Sequence, residues 1–172
     1  MIIRLGERDL RTKFGTFREI LYHDGQKESM ALIRGDVAGG EDILCRVHSH
    51  CVGAHVFNSI ECDCREQMAE AQAMIERDDR GVIIWLDQEG KGNGHLALIQ
   101  SIPFKKAGLP QAEAYVKAGF KADARSYRVA ADILSDLNIR SIVLLANGPD
   151  KADDLRAESI VVSGTRLLSG SF

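Results

Sequence analysis

The chain has 172 residues, of which 45% are hydrophobic and 27% charged, and its formal net charge is −3. This composition is that of a globular protein, and it argues against a basic surface for nucleic acid. The longest apolar run, residues 81–86, is too short to span a bilayer, and the N-terminus lacks a secretory apolar region. We therefore expect one domain over residues 1–172 of a cytoplasmic protein with no membrane partner. In that compartment its four cysteines indicate metal binding or catalysis more than disulfides.

The first 60 residues are predicted to be mostly strand. Strand-forming residues fill positions 14–22, and a turn is expected at 23–26. Strands resume at 30–34 and 43–48, with two adjacent glycines between them.

The remainder alternates between helix and strand. Apolar residues at helical spacing predict helices over 66–79 and 126–137, and short apolar runs predict buried strands at 81–86 and 141–145. A weaker helix and strand follow at 151–158 and 160–163. The predicted fold is a single α/β (α+β) domain, with antiparallel N-terminal strands and a mixed α/β C-terminal portion.

Three cysteines are spaced as metal ligands could be. Cys51, Cys62 and Cys64 form a C-x10-C-x-C pattern. If Cys62 and Cys64 lie on extended backbone, their side chains point to the same face and could share one metal. Three thiolates leave one tetrahedral position open, as catalytic zinc sites do. Three thiols without a metal are the alternative from spacing alone. A fourth ligand could come from His48, His50, His55 or Cys45, although Cys45 lies in an apolar strand and is expected in the core.

Three further polar segments each allow a structural and a functional interpretation. Residues 88–95 hold three glycines, so backbone could approach a ligand there, with Glu89 and Lys91 as polar contacts; a plain strand-to-helix turn is the alternative. Asp123 precedes the clearest helix and is expected to be its N-cap unless it serves as a general base. Lys151 follows a strand at its carboxyl end, where it could meet an anion or remain a solvated lysine.

These segments, in this order, resemble the GTP cyclohydrolase II family over about residues 10–168. The motifs that carry the resemblance are Arg-Val-His-Ser-His-Cys at 46–51, Glu-Cys-Asp-Cys-Arg-Glu-Gln at 61–67, Asp-Gln-Glu-Gly-Lys at 87–91, Gly-Phe-Lys-Ala-Asp-Ala-Arg at 119–125 and Asn-Gly-Pro-Asp-Lys at 147–151.

The resemblance implies a mechanism and a set of residues. Cys51, Cys62 and Cys64 would bind Zn²⁺, and metal-activated water would attack C8 of a purine nucleotide. Asp123 matches the proton acceptor. Arg125 matches a residue assigned as a nucleophile toward the α-phosphate, but a guanidinium that stays protonated is better suited to stabilising charge on the phosphoryl group. Substrate contacts would come from Arg46, Val47, His48, Ser49, His50, Gln67, Glu89, Gly90, Lys91, Gln111 and Lys151.

The chain also departs from the family pattern at five positions. His50 replaces Glu, Lys91 replaces Arg, Gln111 and Ala146 replace Thr, and Ile102 replaces the active-site Tyr. A tyrosine hydroxyl could orient the formylamino intermediate or relay a proton as formate leaves, and Ile102 can do neither. We therefore expect either a product that keeps its formyl group or another side chain, such as His50 or His95, in that role.

The leading interpretation is a zinc-dependent cyclohydrolase acting on GTP or a related purine nucleotide, with Mg²⁺ accompanying the phosphates. A paralogue acting on another nucleotide or a pyrimidine-type ring is the enzyme alternative. A zinc-bound nucleotide sensor is the non-enzyme alternative. The family resemblance also implies a homodimer, and no nucleic acid partner is expected.

Overall fold

The computed structural model describes residues 1–148 and 150–169. Pro149, which belongs to the last motif, lies outside that range. The strands are β1 (Ile3–Thr12), β2 (Gly15–His23), β3 (Glu28–Arg34), β4 (Ile43–Ser49), β5 (Gly81–Leu86), β6 (Ile142–Leu145) and β7 (Val162–Arg166). The helices are α1 (Val52–His55), α2 (Cys64–Asp78), α3 (His95–Lys106), α4 (Gln111–Lys117), α5 (Arg128–Asp136) and α6 (Asp150–Ala157).

The seven described strands form one mixed sheet in the order β1-β2-β3-β5-β4-β6-β7. The pairs β1–β2, β2–β3 and β3–β5 are antiparallel, whereas β5–β4, β4–β6 and β6–β7 are parallel. The predicted fold class, with antiparallel N-terminal strands and a mixed α/β remainder, is confirmed.

Helices cover both faces of the central sheet. On β5, Ile83 packs with Ile75 of α2, whereas Ile84 on the opposite face packs with Ile133 of α5. Successive residues of a strand point to opposite faces, so a strand covered on both sides must be apolar throughout. This accounts for the continuous apolar run that predicted β5.

Several elements differ from the sequence-based expectation. β1 was not predicted, because it is an edge strand whose residues are mostly exposed and its sequence carries no apolar alternation. The helix expected over 126–137 is α5, which begins only at Arg128. The weak C-terminal strand is β7, which begins at Val162. In the described part of the chain, no helix is both long and apolar enough to cross a membrane.

The topology brings the sequence motifs to one edge of the sheet. β4, β5 and β6 run parallel, so their carboxyl ends lie side by side. The segments that leave these strands carry Cys51, the glycine-rich loop and Lys151 respectively. Ligands of open α/β sheets gather at such an edge.

Candidate active site

Three thiols converge beyond the end of β4. Cys51 has extended backbone just before α1, Cys62 lies in the following loop, and Cys64 is the first residue of α2. The condition that Cys62 and Cys64 both lie on extended backbone is therefore not met, because Cys64 is helical. Their sulfur atoms nevertheless fall within 4.8 Å of one another, and those of Cys51 and Cys62 are 3.6 Å apart. The start of the helix, rather than strand alternation, turns the third thiol inward.

This donor set fits a zinc ion. Burial, followed by the neighbouring sulfur atoms, raises the pKa of the Cys64 thiol, and burial also raises that of Cys51. Three ionised thiolates at this separation would repel one another, so a cation is needed to keep all of them ionised. Soft thiolates suit Zn²⁺, and three ligands leave a position for water. Cys45 takes no part, since it is fully buried in the core, as predicted, and burial raises its pKa to about 12.

Behind the thiols lies a buried layer of polar side chains. Arg46 donates hydrogen bonds to the Leu145 carbonyl oxygen (2.8 Å) and to Gln67 Oε1. The Nε2 atoms of His48 and His55 are 3.2 Å apart, and His55 Nε2 lies 3.4 Å from the carbonyl oxygen of Cys64. This layer therefore braces the helix start that carries the third thiol.

Each ionisable side chain of this layer either is neutral or has a hydrogen-bond partner. Burial, aided by the nearby Arg46 guanidinium, lowers the pKa of His48 to about 2, so its imidazole is neutral. Lys151 donates a hydrogen bond to the Val47 carbonyl oxygen (3.1 Å). Burial, followed by the Arg46 and Arg125 charges, lowers the pKa of Lys151 to about 7. A lysine poised in this way is neither fully solvated nor fully charged, and an arriving anion would favour its protonated form.

The glycine-rich loop after β5 packs directly against the segment that carries Asp123. Gly92 has φ +81°, and a Cβ there would lie 2.6 Å from the carbonyl group of Ala124. The Ala124 amide donates to the Lys91 carbonyl oxygen (2.8 Å), and Gln88 exchanges two hydrogen bonds of 2.7 Å with the backbone of Ser126. The loop is thus more than a plain turn, because its close approach holds residues 121–126 in place.

Asp123 and Arg125 form a closed pair. Asp123 Oδ1 accepts hydrogen bonds from the backbone N–H and from Nε of Arg125, both at 3.0 Å, and Oδ2 accepts from Nη2. Burial opposes ionisation of Asp123, but the hydrogen bonds from Arg125 outweigh it and lower the pKa of this carboxyl. The N-cap interpretation is wrong, because α5 begins five residues later and its N-cap is Tyr127.

A cleft of about 710 Å³ connects these parts. It is lined by the thiol cluster, the glycine loop, residues of α3 and α4, and Arg125. Its volume falls within the range of about 300–1,000 Å³ typical of small-molecule sites. Of the residues predicted to contact substrate, the cleft is lined by Ser49, His50, Glu89, Gly90, Lys91 and Gln111.

The other predicted contacts are absent from its lining. Arg46, His48, Gln67 and Lys151 belong to the buried layer described above, and Val47 is a core residue whose carbonyl oxygen accepts the Lys151 hydrogen bond. Asp123 does not line the cleft either, but it accepts hydrogen bonds from Arg125, which does. Ala146 is buried in the core.

The lining residues are fixed by specific contacts. Glu89 Oε1 accepts a hydrogen bond from the Val52 amide (2.9 Å), and Oε2 lies 3.1 Å from His95 Nδ1. His50 packs near Trp85, with ring centroids 5.2 Å apart. The buried Ser49 hydroxyl has no partner among the described residues. An orphaned hydroxyl beside a cleft is a contact available to a ligand.

The helical wall contains a residue that sequence reasoning missed. Tyr115 of α4 lines the cleft one helical turn after Gln111. The i, i+4 spacing from a predicted contact was the available signal. Burial, followed by the Glu89 and Asp123 carboxylates, raises the pKa of Tyr115 to about 12. Ile102 of α3 also lines the cleft, and it presents only carbon atoms there.

The fold and site define an α/β domain with three thiols placed to bind one metal ion. Comparison with known proteins assigns its family. The chain belongs to the GTP cyclohydrolase II family, whose sequence profile matches residues 4–166.

Its relatives include two riboflavin biosynthesis proteins named RibBA. The protein from Bacillus mycoides (strain KBAB4) is 41% identical over 165 residues, which are 95% of this chain and 42% of that protein. The one from Bacillus cytotoxicus is 42% identical over 158 residues, which are 91% of this chain and 40% of that protein. The chain therefore spans less than half the length of these relatives.

A solved structure shares the fold. It is RibBX from A. baumannii, described as a two-domain 3,4-dihydroxy-2-butanone 4-phosphate synthase. The match has a TM-score of 0.54 and 22% identity, and it covers 96% of this chain and 40% of that one. At this identity the likeness concerns the fold alone.

Proposed function

We propose that this protein is a zinc-dependent cyclohydrolase that opens the imidazole ring of GTP or a related purine nucleotide. The observation that carries the proposal is the convergence of three thiols on a cleft that the Asp123–Arg125 pair borders. Family membership and the riboflavin biosynthesis relatives support a role in that type of pathway. The proposal treats the chain as one domain of a cytoplasmic homodimer.

Cys51, Cys62 and Cys64 would hold Zn²⁺, which when bound lowers the pKa of a coordinated water. The remaining roles belong to the chain's own side chains. Asp123 is ionised at neutral pH, because Arg125 lowers its pKa, and so has the form of a proton acceptor, while the same pairing makes it a weaker base. Arg125 lines the cleft with a permanent charge suited to a phosphoryl oxygen, and Lys91 adds a second cation there. Mg²⁺ would accompany the phosphates.

The buried layer would act on the substrate indirectly. Arg46 and Gln67 are engaged with each other and His48 with His55, so these side chains hold the thiol-bearing segments rather than an incoming ligand. Ser49, His50, Glu89, Gly90 and Gln111 are the contacts that the cleft offers to the nucleotide. Lys151 donates to the Val47 carbonyl oxygen and does not line the cleft, so it would reach a phosphate only by giving up that hydrogen bond.

Product chemistry is a separate part of the proposal. Ring opening leaves a formylamino group, and its hydrolysis needs a proton delivered to the departing amine. Ile102 lines the cleft with a side chain that cannot deliver one. We propose that the product keeps its formyl group; the alternative is that His50 or His95, which also line the cleft, delivers the proton in place of a tyrosine. Mass spectrometry should find the substrate mass plus one water, or plus two waters less pyrophosphate if the triphosphate is also hydrolysed. Formate released in step with substrate loss would contradict this part alone.

A second candidate is hydrolysis of a different nucleotide or a pyrimidine-type ring. It is favoured by one observation: His50, Lys91 and Gln111, which depart from the family pattern, all line the cleft. Departures at contact positions change which ring is accepted more readily than they change the reaction. A zinc-bound nucleotide sensor is disfavoured, because the Asp123–Arg125 pair and an open metal position serve chemistry rather than binding.

The decisive experiment incubates the zinc-loaded protein with a panel of purine and pyrimidine nucleotides. Ultraviolet spectra report ring opening, and a coupled assay reports formate. Spectral loss with GTP or another purine nucleotide is the expected result. Turnover confined to a pyrimidine nucleotide would support the second candidate. Tight nucleotide binding without any spectral change would leave the sensor as the remaining explanation.

A further inference from the structure

Tyr115 presents an unusual hydroxyl to the cleft. Its side chain is 1% exposed, yet it belongs to the cleft lining. Among the described residues nothing accepts or donates a hydrogen bond at its Oη atom, in contrast to Tyr22, whose hydroxyl donates to Asp136 at 2.7 Å. Unlike the Tyr127 hydroxyl, which is fully buried without a partner, the Tyr115 oxygen keeps some exposed surface, and Tyr115 belongs to the lining of the cleft. The missing partner of Tyr115 is therefore to be sought in the cleft.

The surroundings of this hydroxyl decide what it can do. A phenol is protonated at neutral pH, so Tyr115 offers a donor. The carboxylates of Glu89 and Asp123 and the guanidinium of Arg125 are its charged neighbours, but each already has a partner of its own. Gln111, one turn earlier on α4, donates its amide N–H to Ser101 Oγ at 3.1 Å. Tyr115 therefore keeps an uncommitted hydroxyl donor in the cleft lining, whereas the Gln111 amide is already anchored by one of its two N–H groups.

We propose that the Tyr115 hydroxyl donates a hydrogen bond to an acceptor atom, a ring nitrogen or carbonyl oxygen, of the heteroaromatic base bound in the cleft. This contact orients the ring toward the thiol cluster for the first hydrolytic step. The inference rests on the proposed function and extends it, since it assigns a substrate-binding role to a residue outside the motifs of the sequence analysis. The hydroxyl is assigned to ring opening and not to formate release.

The test compares Tyr115→Phe with the wild type, both zinc-loaded, with GTP as the probe. Phe keeps the buried ring, and no hydrogen bond within the described chain is lost, so the melting temperature should be unchanged. We expect kcat/KM for ring opening to fall about three- to tenfold and the dissociation constant for GTP to rise by a similar factor, as the net loss of one neutral hydrogen bond predicts.

The matched control is Tyr22→Phe. It removes a buried hydroxyl that does have a partner, Asp136, on the far side of the sheet from α2. This variant should have a lower melting temperature and unchanged kcat/KM, the opposite of the Tyr115 pattern. The pair of variants separates a general effect of losing a buried phenol from a specific effect on substrate.

The outcomes distinguish this inference from the function on which it rests. Tyr115→Phe with kcat/KM and GTP affinity both within twofold of wild type overturns the inference and leaves the function standing. A variant that opens the ring at the wild-type rate and changes only formate release also overturns it. If the wild type binds GTP without turnover, the function fails, and the change in GTP affinity alone decides the role of Tyr115. If the wild type does not bind GTP, both are overturned for this nucleotide class.

Discussion

Replacing Asp123 with Asn separates a chemical role from a structural one. Because α5 begins at Arg128, the substitution cannot weaken that helix through a lost cap. Asn keeps one oxygen to accept the Arg125 amide hydrogen bond and loses the negative charge. The side chains of Asp123 and Arg125 are 39% and 20% exposed, so solvent screens part of their attraction. We expect a loss of about 1 kcal/mol in the free energy of unfolding, roughly 2–4 °C in melting temperature.

The expected effect on turnover is far larger. Loss of a general acid–base group typically costs about 10²–10⁴ in rate, which corresponds to roughly 3–5 kcal/mol in activation free energy. The assay measures kcat and kcat/KM of the zinc-loaded variant on the best nucleotide of the panel, together with its melting temperature. Asp153→Asn is the control, since Asp153 also pairs with an arginine, Arg156, at 2.9 Å but lies on the exposed face of α6. A folded Asp123→Asn enzyme with turnover within tenfold of wild type would refute the assignment.

Three other predictions follow from the same site. Protein purified without chelator should contain about one zinc per chain, Cys62→Ser should lose metal and turnover, and the core variant Cys45→Ala should keep both; full zinc content in Cys62→Ser would exclude the ligand assignment. Ile102→Tyr should release formate, measured relative to substrate loss. If it releases none, the absence of a tyrosine hydroxyl at position 102 is not the reason that the formyl group is retained. His48 has a pKa of about 2 when folded and 6.5 when unfolded. The unfolded chain therefore binds more protons between these values, and acidification below about pH 6.5 should lower the free energy of unfolding. His48→Gln should flatten that dependence in denaturant titrations, and an unchanged slope would count against a neutral buried His48.

The elements that could be predicted from the sequence are those whose burial is two-sided or strongly periodic. β5 is apolar at every position because α2 and α5 cover both of its faces. β1 was not predicted, because an exposed edge strand needs no apolar pattern and is defined by its pairing with β2. The helix α3 was not predicted for another reason. Its apolar residues lie around much of its circumference rather than on one face, and Pro103 lies inside it.

The site was predictable in its chemistry and less so in its geometry. The cysteine spacing identified the thiols that converge, but the route of the backbone between Cys62 and Cys64 depends on where α2 begins. That start depends in turn on contacts from β4, such as the Arg46–Gln67 hydrogen bond, which no local pattern reveals. Likewise, Asp123 looked like an N-cap because the sequence does not show that the helix starts later.

The separation of the predicted contacts into a cleft lining and a buried layer has a physical origin. On β4, successive side chains point to opposite faces of the sheet. Near the end of the strand, a polar side chain can be buried and still contact a loop of the site. Arg46 and His48 occupy one such face, and each finds a partner on a segment that carries a thiol, Arg46 on α2 through Gln67 and His48 through His55. A buried polar residue in a motif needs a hydrogen-bond partner whether it contacts the substrate or supports a metal-binding segment. The sequence alone therefore does not distinguish these two roles. Only the partner does: the side chains of the layer have protein partners, whereas Ser49, whose hydroxyl has none among the described residues, and Tyr115 belong to the cleft lining.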